Sequence, residues 1–215
     1  MLFQYDIFDI MFILRFIIVL FQVTGFLGLI IVGSSRIRNT GTINKSVVFT
    51  IVGVIEIIYL VINERIFRVI LVVTGHYTVQ ILMVQDALNG LIPNIISLIT
   101  FGSLFLFLGI RNRQNFGKYL KYSGIFGIVF GVISIVANSI LLLGYVPYPI
   151  PFSFILLGFI ITPIASIFMV ASSVFFVIYA SKLDSKILLY SSIFLLVASS
   201  LFAVNSLLLL IMVIP

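Results

Sequence analysis

The chain has 215 residues, 62% of them hydrophobic and 8% charged, where an ordinary soluble domain carries about 25% charged residues. With 12 basic and 6 acidic side chains and a mean hydropathy of +1.36, it has too few charges to cover a folded surface in water, which excludes a soluble monomer. Long uncharged apolar runs predict instead an all-α, polytopic integral membrane bundle that occupies residues 1–215 as a single domain.

Taking about 20 apolar residues per crossing, the sequence predicts six spans, at residues 11–33, 47–62, 93–110, 123–144, 152–180 and 187–214. The first follows a stretch that carries Asp6 and Asp9 and no Lys or Arg. Its apolar run is about twice the length of a signal-peptide core, so it reads as a retained helix. Arg15 lies a turn or so inside it and reads as snorkelling to the headgroups, with an ion pair to Glu56 as the sharper alternative. Gln22, deeper in the same helix, is placed to hydrogen-bond across the bundle.

The second span is short and carries Glu56 near its middle, where an acidic side chain costs up to roughly 3 kcal/mol on insertion scales. At about 100° per residue, Gly53, Glu56, Tyr59 and Asn63 share one polar face, which should turn inward. Glu56 therefore reads either as a structural hydrogen-bond or ion-pair partner or as a site that holds and exchanges a proton or cation.

Residues 63–92 are interrupted by Arg68, Gly75, His76, Gln80, Gln85, Asp86 and Asn89. A crossing there would move the basic residues that follow to the opposite side, so the segment is expected to be an external amphipathic or re-entrant element. The fourth span has Ser123, Gly127 and Gly131 at four-residue spacing, and the fifth has Gly158, Thr162 and Ser166. Small residues at that spacing let helices approach closely, either inside the bundle or against a partner. Prolines 147, 149 and 151 predict a stiff, extended connection before the fifth span.

The six-span arrangement sorts the charges. Arg36, Arg38 and Lys45 fall on one side, with Arg111, Arg113, Lys118 and Lys121, and with Lys182, Asp184 and Lys186. That side should be cytoplasmic, which turns both termini outward and makes this a multi-pass protein of the cell membrane. All nine tyrosines lie near expected helix ends or connections and take the interfacial role that Trp often fills. The net charge of +6 thus reads as topology, and no nucleic-acid partner is expected.

There are no cysteines and one histidine, so thiolate sites, iron–sulfur clusters and multi-histidine centres within one chain are excluded. Walker, GxGxxG and GxSxG patterns do not occur. No cofactor is expected, and for want of a catalytic constellation an intramembrane enzyme ranks third, behind the two readings that follow. Small-residue faces and short loops suit a structural or accessory subunit of a larger membrane complex, partnered by the lipid bilayer and by other subunits or further copies of itself. The alternative is a small channel or secondary transporter that uses Glu56 as an intramembrane proton or cation site. Its mark is a polar, water-accessible path converging on that residue.

Overall fold

The computed structural model describes residues 2–40, 47–60, 94–111, 116–143 and 151–213 of the chain. Among these, 96% are helical and none is in a strand, so the described core is made wholly by helix packing. The helices are α1 (Leu2–Thr40), α2 (Val47–Leu60), α3 (Asn94–Arg111), α4 (Gly117–Leu143), α5 (Phe152–Ser181) and α6 (Lys186–Val213). All but α2 have the length and apolar composition to cross a membrane. The continuation of the second span beyond Leu60 lies outside the described residues, as do the 63–92 segment and prolines 147 and 149.

Two helices extend past their expected ends. Helix α1 has 39 residues, roughly 58 Å at 1.5 Å per residue, because backbone hydrogen bonding continues where the apolar run stops. At its far end the hydroxyls of Ser34 and Ser35 donate back to the carbonyls of Ile31 and Val32. Helix α4 starts at Gly117 rather than at 123. Lys118 and Lys121 therefore belong to its first turns, where the long apolar stems of lysine let the ammonium groups reach out of the bilayer.

Helix α3 departs from α-geometry over Leu98–Leu104, where it widens into a π-helix. Nothing in the local sequence predicted this. The widened turn packs against α4, and the tightest approach of the two helices follows just beyond it. A Cβ on Gly127 would come within 3.1 Å of Gly102 Cα, and one on Gly124 would run into the backbone of Leu106.

The bundle is inside-out relative to a soluble protein. Large apolar side chains such as Phe16, Ile31, Ile58, Ile99, Val132, Ile167 and Ile211 are exposed, while Ser123, Ser166, Ser173, Ser192 and Ser199 are buried. Lipid tails solvate isoleucine as well as another helix does, so association depends on close packing and interhelical hydrogen bonds. Ser172 Oγ donates to the Ser123 carbonyl at 2.8 Å, joining α5 to α4, and Ser206 Oγ lies 3.3 Å from Ser166 Oγ, joining α6 to α5.

The described contacts close a ring in chain order. Helix α3 packs on α4, α4 on α5, α5 on α6, and α6 on α1. Helix α2 completes it. A Cβ on Gly53 would lie 2.7 Å from the Phe26 carbonyl oxygen of α1, and Phe49 meets Phe105 of α3.

Candidate functional site

The centre of the ring is filled at one end and hollow beyond it. At the end where α2, α4 and α6 begin and α3 and α5 stop, Phe49 of α2, Phe101 and Phe105 of α3 and Phe176 of α5 interlock. Their ring centroids are 4.4 Å apart for Phe101 and Phe105, 4.8 Å for Phe105 and Phe176, and 5.8 Å for Phe101 and Phe176. Leu29, Leu120 and Leu188 are buried with this cluster.

Beyond the rings, toward the other end, lies a cavity of about 230 Å³. Every described helix contributes to its wall: Gln22 and Phe26 from α1, Glu56 and Tyr59 from α2, Ser97 and Phe101 from α3. The far side is formed by Gly127 and Phe130 of α4, Met169, Ser172 and Ser173 of α5, and Ala198 and Phe202 of α6. Phe101 belongs to both regions and forms the floor between them.

Glu56 is 5% exposed. Its Oε1 lies 2.5 Å from Thr100 Oγ1 and 3.4 Å from Ser97 Oγ, both on α3. Thr100 Oγ1 is also 2.8 Å from the carbonyl oxygen of Ile96. A threonine hydroxyl has one hydrogen and two lone pairs, so it cannot donate to both oxygens at once. When Glu56 is ionised, Thr100 donates to the carboxylate, and the short separation suits such a charge-assisted bond. When Glu56 carries a proton, the carboxyl donates to Thr100 Oγ1, which in turn donates to the Ile96 carbonyl. The protonated form thus makes both hydrogen bonds, and ionisation exchanges the one to the Ile96 carbonyl for a charge-assisted bond to the carboxylate.

This pairing lies at the widened turn of α3, and π-helical turns are frequent at functional sites. Among the described residues that line the cavity, Glu56 is the one charged side chain. The described residues also contain no group of three His, Cys, Asp or Glu side chains fit to hold a metal ion. The site can therefore hold or release a proton, or pair one positive charge.

The structure brings Glu56 and Gln22 to one cavity, and leaves Arg15 elsewhere. Arg15 is exposed on α1, and the carboxyl of Glu56 takes its hydrogen bonds from α3. Gly127 and Gly131 face Gly102 and Leu98 of α3, while Ser123 faces Ser172 of α5. On α5, Gly158 abuts Leu141 and the Ala137 carbonyl of α4, Thr162 Oγ1 donates back to the Gly158 carbonyl, and Ser166 meets Ser206 of α6.

Sequence reasoning did not single out Thr100 and Ser97. Their three-residue spacing puts both hydroxyls on one side of α3, but only the neighbouring helix shows which acid they meet. No protein-family model, no curated protein and no solved structure matches this chain.

Proposed function

We propose that the protein is a small secondary carrier of the cell membrane, with Glu56 as its intramembrane proton or cation site. One observation supports this most directly: a buried carboxyl borders a cavity at the centre of a six-helix ring. An unpaired carboxylate in so apolar a setting is costly, and it is relieved either by a proton or by a bound cation. The two occupants exclude one another, so each displaces the other at Glu56. Exchange between them from opposite sides of the membrane is an antiport.

The packed rings of Phe101, Phe105 and Phe176 favour a carrier over an open channel, because they close the centre of the ring at one end of the cavity. A carrier exposes its site to one side at a time, and this geometry suits the state closed toward the basic connections. The proposal includes six crossings, with those connections cytoplasmic and both termini outside. An accessory-subunit role needs a face offered to a partner, and Gly127, Gly131, Gly158 and Ser166 already meet helices of this chain.

The test is flux in vesicles reconstituted with purified protein. An imposed proton gradient should drive cation exchange, and Glu56→Gln should abolish it without loss of thermal stability. Wild-type vesicles without flux, together with co-migration of other membrane chains in mild detergent, would return the accessory-subunit reading. Topology has its own test, since the chain has no native cysteine. Of Thr40→Cys, Asn115→Cys and Pro149→Cys, only the third should react with an impermeant thiol reagent on intact cells. Labelling at Asn115→Cys would overturn the six-span arrangement.

A further inference from the structure

We infer that the cavity takes a small organic cation, a protonated amine on a ring-sized apolar body, with its ammonium group at Glu56 and its body among the aromatic side chains. The inference rests on reading Glu56 as the working site and adds the class of molecule that site accepts.

Charge is the first consideration. Among its described residues the cavity wall carries one carboxyl, that of Glu56, and no basic side chain. A ligand that pairs with the ionised form must therefore bring one positive charge. Coordination is the second. A hard metal ion prefers about six or more oxygen ligands, whereas Glu56 is the one carboxylate among the described lining residues, and the other side-chain oxygens there, on Gln22, Tyr59, Ser97, Ser172 and Ser173, are spread over four helices. The remaining wall is mostly apolar, which strips water from a small ion without replacing it.

Size and surface point the same way. An apolar cavity of about 150 Å³ holds benzene, so one of about 230 Å³ holds a ring with a short side chain. Phe26, Phe101, Phe130 and Phe202 line it from four different helices. Aromatic faces attract a cation electrostatically while also burying hydrocarbon. An acid at one point and rings around the rest is the complement of an amine on an apolar body.

Benzylamine, with benzyl alcohol as its neutral counterpart, provides the test by calorimetric titration of the purified protein in detergent. Wild type should bind the amine about tenfold or more tightly than the alcohol, as expected for a charge-assisted contact. Glu56→Gln should lose that preference while binding benzyl alcohol as wild type does, which also reports that the variant is folded. Phe202→Leu should weaken amine binding about two- to fivefold. Equal affinity for the two probes, a preference that survives Glu56→Gln, or binding of neither overturns the inference. If Glu56→Gln does not fold, the wild-type comparison decides alone. Proton or metal-ion flux without benzylamine binding would leave the carrier standing and remove this inference; benzylamine preference without any flux would do the reverse.

Discussion

The two halves of the ring use the same six helices to opposite ends. Near the basic connections, each helix directs a large side chain to the centre, and Phe49, Phe101, Phe105 and Phe176 leave no room among themselves. One to three turns further along, Gly127, Ser172, Ser173 and Ala198 occupy inward positions, and the centre stays hollow around Glu56. Helix number, neighbours and handedness are common to both halves. Side-chain volume at a few inward positions decides whether such a ring forms a plug or a site.

The largest expected effect sets the plug against the cavity wall. Phe176 is fully buried and meets Phe49, Phe101, Phe105 and Tyr179. Phe176→Ala should cost about 3–5 kcal/mol, the usual range for a buried aromatic. Phe202 borders a space that already exists and has one described ring partner, Phe130, at 6.5 Å. Phe202→Ala should cost about 1 kcal/mol, because no new enclosed void forms around it. Denaturation in detergent compares the two, and equal losses would remove the distinction between the halves.

Helix spacing gives the next effect. At Gly124 an added methyl meets the Leu106 backbone, which cannot turn aside, so Gly124→Ala should cost about 1–3 kcal/mol by overpacking. At Gly158 the nearest atoms belong to the flexible end of Leu141, 2.9 Å away. Gly158→Ala should therefore cost less, and a larger loss there than at Gly124 would mean that α4 and α5, rather than α3 and α4, set the tightest spacing.

Within the cavity, Thr100→Val should cost about 1–2 kcal/mol by leaving Glu56 without its nearest hydroxyl. Thr100→Ser, which keeps the oxygen, should stay close to wild type. If valine and serine behave alike in thermal unfolding, the 2.5 Å contact contributes nothing to stability.

The five long apolar helices were legible because an apolar run of membrane length is a signal in itself. Glu56 was legible because an acid inside such a run needs a partner. The start of α4 was hidden, since Lys118 and Lys121 end hydropathy without ending helical hydrogen bonding. The role of Thr100 was hidden for another reason. Hydroxyls in these helices commonly bond to their own chain, as Thr24 does to Leu20 and Ser139 to Ile135, and sequence does not mark the one that also reaches across. The cavity had no local signature at all, because each helix supplies only a few of its residues.

The smallest expected effect concerns Arg15. Sequence depth alone makes Arg15 and Glu56 a plausible ion pair, and breaking a buried pair at one partner would be severe, because the other charge is left unmatched. The structure divides their surroundings: Arg15 is exposed on α1, while Glu56 is enclosed and hydrogen-bonded by α3. They share no hydrogen-bonding partner among the described residues, so Arg15→Gln should leave unfolding in detergent nearly unchanged. The double-mutant cycle with Glu56→Gln should then be additive within about 0.5 kcal/mol. A double mutant that loses clearly less than the sum would show that Arg15 reaches the carboxyl, and the cavity would then hold a fixed internal cation in place of an exchangeable one.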